Sequence, residues 1–148
     1  MRRSFILILL IVCIGAATAE VPFHRGVNLT QWFQTSDVRQ VQFTKFTKQD
    51  FLNIQSLGCD VIRLPINLIA MTDGAPDYTI DPLFFYFMDQ IVDWAEELEM
   101  YLLLDYHATS DQTFTDPNLE DSLNKMWTQM ADHYKGRSNY ILYEIINE

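Results

Sequence analysis

Four polar residues lie near the ends of apolar runs of this sequence, and their types could carry acid–base chemistry. A carboxylate at the carboxyl end of an apolar strand could be catalytic, because barrels of alternating strands and helices carry their active sites at that end of the strands. Three different runs contribute, so the fold must bring the residues together. The four residues are Arg63, His107, Asn147 and Glu148, from the runs Asp60–Ile66, Tyr101–Tyr106 and Ile141–Ile146.

Each of these residues also has a purely structural interpretation. Arg63 could pair with an internal carboxylate such as Glu144 or Asp105, and His107 could be a core histidine with satisfied hydrogen bonds. Asn147-Glu148 could form a helix-capping turn. The combination of the four is more specific than any one of them, and it favours a site at one end of a sheet.

The elements that would position these residues are four strands separated by helices. The strand runs are mostly continuous rather than alternating, which is typical of parallel strands buried on both faces. We expect Gly26 to break the first strand and Pro65 to mark the end of ladder pairing in the second. The predicted strands are Phe23–Leu29, Asp60–Ile66, Tyr101–Tyr106 and Ile141–Ile146.

Helical patterns fill the intervals between the strands. Thr47 is a predicted N-cap for a helix over Lys48–Leu57, which Gly58 would stop. Asp81-Pro82 is a strong start signal for a second helix, whose apolar side extends from Phe84 to Leu98. A third helix is predicted over Leu119–Tyr134 and ends at Gly136.

Alternating strands and helices predict an α/β fold with a parallel sheet and right-handed crossovers. A doubly wound sheet and a (β/α)8 TIM barrel both fit this pattern. No glycine-rich phosphate loop follows the first strand, which weakens the nucleotide-binding alternative. A barrel typically needs roughly 250 residues, so we expect about its first four strands and three helices here.

Residues 1–19 have the pattern of a secretory signal peptide. Arg2 and Arg3 precede an apolar stretch that is too short for a bilayer span of roughly 20 residues, and Ala17-Thr18-Ala19 resembles a cleavage site. An uncleaved anchor is the alternative. The expected mature chain, residues 20–148, would be secreted to an extracellular or periplasmic space and would have no membrane contact.

The charge and cysteine content exclude several classes of partner and cofactor. Loss of Arg2 and Arg3 would take the net charge from −10 to −12, which argues against nucleic acid as a partner. Cys59 would be the one cysteine left, expected as a buried thiol, with pairing to a cysteine outside this sequence left open. His24, His107 and His133 are too scattered for a zinc site, so no metal or other cofactor is predicted.

Four motifs resemble those of glycoside hydrolase family 5, in the same order and at the same spacing. This family includes endoglucanases (cellulases), mannanases and related enzymes, and the resemblance covers nearly all of residues 20–148. It implies that these residues are the amino-terminal half of a (β/α)8 catalytic barrel that hydrolyses β-glycosidic bonds with retention. The motifs are Arg25-Gly-Val-Asn28, Val61-Ile-Arg-Leu-Pro65, Leu104-Asp-Tyr-His107 and Tyr143-Glu-Ile-Ile-Asn-Glu148.

The resemblance also implies roles for the four polar residues. Glu148 matches the general acid/base, which must deliver a proton because the glycosidic oxygen is a poor leaving group. Asn147 matches the residue that binds the sugar 2-hydroxyl, Arg63 the arginine beneath the nucleophile, and His107 a substrate-binding histidine. The nucleophilic glutamate of the family ends the seventh strand, beyond residue 148.

The expected function is a secreted endo-β-1,4-glucanase that acts on a β-linked polysaccharide or oligosaccharide without a cofactor. The full-length enzyme would be a monomer, and residues 20–148 alone would be inactive. Alternatives are a β-mannanase or another β-glucanase of the family, or a non-catalytic carbohydrate-binding protein on the same fold. Four aromatic residues after strand ends could stack on sugars or pack against neighbouring loops: Trp32, Phe33, Tyr106 and Phe114.

Overall fold

The computed structural model describes residues 21–108 and 117–147. Within them, four parallel strands form one sheet in the order β1-β2-β3-β4. Because the strands are parallel, their carboxyl ends lie along one edge of the sheet. The strands are β1 (Gly26–Asn28), β2 (Val61–Ile66), β3 (Tyr101–Tyr106) and β4 (Ile141–Glu144).

The strand order decides between the two folds that the sequence permits. A doubly wound sheet reverses its strand order at a switch point. In the described residues each strand instead pairs with the next one along the chain, as in a barrel wall. The prediction of a partial (β/α)8 barrel is therefore confirmed.

Three α-helices of the described residues connect the strands, close to the predicted boundaries. Thr47 caps α1, and its amide donates to the Asp50 carboxylate at 2.7 Å. Asp81 caps α2, accepting from the amide of Leu83 at 2.9 Å. The helices are α1 (Lys48–Ser56), α2 (Pro82–Glu97) and α3 (Leu119–Tyr134), with short 3-10 turns at Val38–Gln40, Phe43–Lys45 and Leu68–Met71.

The first strand is shorter than predicted, and Gly26 belongs to it rather than breaking it. The amides of His24 and Arg25 donate to the Asp60 carboxylate at 2.8–3.0 Å, so they are not available to the ladder and β1 begins only at Gly26. Gly26 pairs with Val61 so closely that a Cβ would lie 2.5 Å from the valine Cγ1. Glycine is needed here because the backbones approach each other.

Pro65 does not end the ladder as predicted, because β2 and β3 stay paired through Ile66. In a parallel strand alternate residues present their backbone groups to alternate neighbours. The Arg63 carbonyl accepts from Leu29 on the β1 side, so Pro65 faces that same side, beyond the end of β1 at Asn28. The missing proline N–H therefore removes no bond to β3.

The fourth strand also ends earlier than predicted, at Glu144 rather than Ile146. The indole Nε1 of Trp127 on α3 donates to the Ile145 carbonyl at 2.8 Å, which draws that carbonyl towards the helix layer. The chain then returns, and the amide of Asn147 donates to the Tyr106 carbonyl at 2.9 Å. Residues 145–147 are therefore held between the sheet and α3.

The core lies between the outer face of the sheet and the helices. Ile62, Leu64, Leu102 and Leu104 point into it from β2 and β3 and are almost fully buried. The apolar sides of α2 and α3 pack against them, as their spacing predicts. Their buried members are Phe84, Met88, Ile91, Val92 and Ala95 on α2, and Ser122, Met126, Met130 and Tyr134 on α3.

Three of the four aromatic residues after strand ends are buried. The sequence alone left open whether they stack on sugars or pack against neighbouring loops. Trp32, Phe33 and Tyr106 are each at most 1% exposed. Trp32 packs against Phe33 and Phe46 at centroid distances of 5.2 Å. These side chains therefore belong to the core, while Phe114 lies outside the described residues.

Cys59 is buried and is unpaired within the described residues, as its position before β2 predicts. Among residues 21–108 and 117–147, the helices lack the combination of length and apolar character that a bilayer crossing requires.

Candidate active site at the carboxyl ends of the strands

The side chains of Arg63, Asp105 and Glu144 project from the same face of the sheet, opposite the helices. Asp105 lies beside Glu144 in the ladder, and Arg63 lies beside Leu103, two residues before Asp105. Because side chains alternate between faces, residues two apart on neighbouring strands share a face. Three charged groups from β2, β3 and β4 therefore meet near the carboxyl edge.

Arg63 is the centre of this arrangement. Its Nε donates to Glu144 Oε2 at 2.7 Å and its Nη2 to Glu144 Oε1 at 2.7 Å, which is the paired geometry that guanidinium and carboxylate favour. Nη2 also lies 2.9 Å from Asp105 Oδ2. The sequence left Glu144 and Asp105 as alternative partners, and the structure shows that Arg63 contacts both.

The guanidinium also reaches two asparagines at strand ends. Nη2 donates to Asn147 Oδ1 at 3.0 Å, and Nη1 donates to Asn28 Oδ1 at 3.3 Å. With the amide of Asn147 bound to Tyr106, both the backbone and the side chain of Asn147 are fixed. Arg63 therefore links the carboxyl ends of β1, β2 and β4.

His107 enters the site through Asp105. The Asp105 side chain is 0% exposed, and its Oδ2 lies 3.0 Å from Nδ1 of His107, whose side chain is 32% exposed. The backbone amide of His107 donates to the Ile66 carbonyl at 2.8 Å, which sets the ring just past the ends of β2 and β3. Within the described residues, Asp105 Oδ1 is buried without a hydrogen-bond partner.

The pKa values of the two carboxylates next to Arg63 are shifted in opposite directions. The hydrogen bonds from Arg63 lower the pKa of Glu144, so this carboxylate is held ionised. Burial raises the pKa of Asp105, although His107 and Arg63 act against that increase. The hydrogen bond to Glu144 raises the pKa of Arg63, which is cationic throughout the range in which proteins are stable.

The structure brings together Arg63, His107 and Asn147, as the sequence predicts, whereas Glu148 lies outside the described residues. Sequence reasoning did not predict that Asn28 contacts Arg63, or that Asp105 links Arg63 to His107. The signal for Asp105 was present, because it is two residues before His107 and emerges on the Arg63 face. Within the described residues no three His, Cys, Asp or Glu side chains cluster as a metal site.

The chemical capacity of this site is to hold and orient polar groups. The asparagine amide and the imidazole beside this cluster of charges can bind hydroxyl groups. The predicted proton donor, Glu148, follows Asn147 directly in the sequence. This set of residues suits recognition of a hydroxyl-rich substrate.

Comparison with known proteins gives a consistent result. Residues 18–148 match the sequence model of the family described as Cellulase (glycosyl hydrolase family 5). Endoglucanase 3 of Fibrobacter succinogenes is 28% identical over 140 residues, covering 84% of this chain and 21% of that protein. Cellodextrinase A of Ruminococcus flavefaciens is 26% identical over 137 residues, covering 84% of this chain and 40% of that protein.

Solved structures extend the comparison to the fold. A family 5 xyloglucan-specific endo-beta-1,4-glucanase from a metagenomic library, in complex with cellotriose, is 26% identical with a TM-score of 0.75. The endoglucanase Cel5A of Thermotoga maritima is 22% identical with a TM-score of 0.74. The matches cover 86% and 84% of this chain, respectively. This chain spans only about two fifths of each of the two structures, 41% and 40%. The chain belongs to the cellulase family, glycosyl hydrolase family 5.

Proposed function

We propose that this chain is the amino-terminal half of the catalytic barrel of a secreted, retaining endo-β-1,4-glucanase. The observation that carries the proposal is the Arg63 network, which gathers Asn147, Asp105 and His107 at the carboxyl edge of the sheet. Relatives named endoglucanases support the reaction class, and a relative bound to cellotriose supports a β-linked glucan as the partner. In this proposal the signal peptide is residues 1–19 and the enzyme works as a monomer without a cofactor.

In this proposal each polar residue of the site has a distinct role. Glu148 protonates the leaving oxygen and then deprotonates water, while a carboxylate about 5 Å away attacks the anomeric carbon. Asn147, fixed by Arg63 and Tyr106, binds the 2-hydroxyl of the sugar. Arg63 holds the nucleophile ionised from below, because its charge favours the carboxylate form. His107 binds a sugar hydroxyl.

The test uses the complete gene product that contains this chain, with carboxymethyl cellulose as substrate and reducing sugar as the readout. We expect the wild type to hydrolyse it and Glu148→Gln to lower kcat by about 10²- to 10⁴-fold, the usual contribution of a general acid or base. Glu120→Gln, which removes an exposed carboxylate from the first turn of α3, is the matched control and should leave kcat unchanged.

Three results would each contradict a part of this proposal. Full activity of Glu148→Gln would remove the acid/base assignment. Binding of the polymer by the wild type without release of reducing sugar would favour a non-catalytic carbohydrate-binding protein. A preference for mannan over glucan would keep the mechanism and change the substrate.

A further inference from the structure

Asp105 is a wholly buried carboxylate whose position the roles proposed above do not explain. Its Oδ2 lies 2.9 Å from Arg63 Nη2 and 3.0 Å from His107 Nδ1, and its side chain is 0% exposed. The two hydrogens of Nη2 are directed to Glu144 and Asn147, so the contact between Arg63 and Asp105 is ionic rather than a further hydrogen bond. Among the described residues, His107 is therefore the group that hydrogen-bonds this carboxylate.

The hydrogen bond between Asp105 and His107 can form in two protonation states, which differ by one proton exchanged with solvent. If Asp105 is ionised, it can only accept, so the imidazole must carry its proton on Nδ1. If Asp105 takes up a proton from solvent, it donates to Nδ1, and the neutral imidazole carries its own proton on Nε2. The second ring nitrogen, which faces away from Asp105, is an acceptor in the first case and a donor in the second.

The charges around the carboxylate favour the ionised form. A permanently cationic guanidinium at 2.9 Å stabilises a carboxylate, and an imidazole N–H at 3.0 Å adds a hydrogen bond to the charged form. Burial acts in the opposite direction, and so does the negative charge of Glu144 on the other side of Arg63. Glu144, however, forms two hydrogen bonds with Arg63, which offset part of its repulsion of Asp105.

We infer that Asp105 is a positioning residue that fixes His107 in the Nδ1–H form, so that His107 Nε2 is a hydrogen-bond acceptor in the substrate cleft. An acceptor at this point binds a sugar hydroxyl through the hydroxyl hydrogen. Arg63 has a double function in this arrangement, because it fixes Asn147 directly and His107 through Asp105. The assignment of the tautomer is independent of the proposed function, but its role in substrate binding rests on it.

The direct test is the tautomer of His107 in the complete gene product. The protein is labelled with 15N-histidine, and the ring nitrogens are recorded at pH 8, above the ordinary histidine pKa of about 6.5. His107→Gln identifies the signals by their loss. We expect a protonated Nδ1 and a bare Nε2. A protonated Nε2 with a bare Nδ1 would overturn the inference, as would an imidazolium that persists at this pH.

The role in binding is tested with Asp105→Asn and a matched control. The control is Asp89→Asn, because Asp89 Oδ1 contacts His133 Nε2 at 2.8 Å between α2 and α3, away from the sheet edge. Asp105→Asn should raise KM for a cello-oligosaccharide by about tenfold, the effect expected when one hydrogen bond to the substrate is lost. Asp89→Asn should leave both KM and the His107 signals unchanged.

The outcomes separate this inference from the proposed function. If the wild type hydrolyses glucan but His107 carries its proton on Nε2, the function stands and the inference falls. If His107 carries its proton on Nδ1 but no glucan is hydrolysed, the tautomer assignment stands and the proposed function falls. Equal effects of Asp105→Asn and Asp89→Asn on KM would overturn the positioning role. Should Asp105→Asn fail to fold, the wild-type spectrum still decides the tautomer.

Discussion

At the scale of single residues, this site depends on one guanidinium that contacts two carboxylates and two asparagine amides. Arg63 is 24% exposed and Glu144 30% exposed, so the pair is partly shielded from water, while Asp105 has no exposed surface. A buried carboxylate is tolerated only when it is paired. Arginine suits the position better than lysine because its planar fork reaches several acceptors at once.

Removal of Arg63 should therefore destabilise the fold. Arg63→Met leaves Asp105 and Glu144 facing each other without a cation, and we expect a loss of about 3 kcal/mol in the free energy of unfolding at pH 7. Arg39→Met is the control, because the Arg39 side chain is 68% exposed and its ion pairs with Asp37 and Asp81 should be worth about 1 kcal/mol or less. Denaturant unfolding of the complete gene product measures both, and equal losses would contradict the prediction.

Glu144 and Asp105 should make the stability of the fold depend on pH, with opposite signs. The pKa of Glu144 is lower in the folded state, so its contribution is complete above the ordinary glutamate value of about 4.3 and is lost as the pH falls through the folded value. Asp105, whose pKa is raised by burial, acts with the opposite sign: its ionised form penalises the fold, and the penalty is relieved as the pH falls.

Replacement of Glu144 by glutamine should flatten the acid limb of the stability profile. We expect the Tm of Glu144→Gln to fall less than that of the wild type between pH 6 and pH 3, because a proton-linked interaction has been removed. Glu97→Gln, which removes a carboxylate with a 58% exposed side chain on α2, controls for the loss of one charge. A variant profile parallel to that of the wild type would show that Glu144 is not the linked group.

At the scale of elements, α3 helps to set the position of the segment that leads to Glu148. The Trp127 indole binds the Ile145 carbonyl and its ring packs edge-on against Tyr143 at 5.6 Å. Asn147 is tied on the other side to Tyr106 and Arg63. The turn after β4 therefore depends on contacts from a helix as well as from the sheet.

Loss of the Trp127 hydrogen bond should have a modest cost. Trp127→Phe keeps an aromatic ring next to Tyr143 but removes the donor to Ile145, and we expect a loss of about 1 kcal/mol in unfolding free energy. Trp32→Phe is the comparison. The Trp32 indole also donates to a carbonyl, that of Gln42, but Trp32 is only 1% exposed, so its replacement should cost more. Thermal unfolding that ranks the two variants in the reverse order would contradict this account.

At the scale of the whole molecule, the described residues form a sheet with helices on one face and an open inner face on the other. Leu103 and Leu142 point to that inner face and are only partly buried, in contrast to Leu102 and Leu104 on the helix side. A cavity of about 320 Å³ lies there, with Arg63 and Leu103 among its lining residues. A closed barrel would fill this space with side chains from further strands.

Residues 20–148 expressed alone should therefore associate. The edge of β4 and the apolar inner face would both be accessible to other copies, and such edges promote aggregation. We expect oligomers by size-exclusion chromatography with light scattering, and a monomer for the complete gene product. Leu142→Glu, which places a charge on the inner face, should reduce the association. A monomeric fragment with cooperative unfolding would contradict this prediction.

The alternation of strands and helices and most of their boundaries could be predicted from the sequence. Apolar spacing and cap residues are local signals, so Thr47, Asp81 and the buried faces of α2 and α3 could be predicted without a fold. The boundary errors at the start of β1 and the end of β4 occurred where a distant group intervened. Asp60 takes the amides that would extend β1, and Trp127 takes a carbonyl that would extend β4.

The connections between the polar residues depend on how the strands pair, and they could not be predicted from the sequence. The sequence offered Asp105 and Glu144 as alternative partners of Arg63, because strand alternation places both on its face but says nothing of distance. Strand register supplied the answer: it sets both carboxylates within 3 Å of one guanidinium and carries the connection on to His107. Register is a property of paired strands, so no single strand could have revealed it.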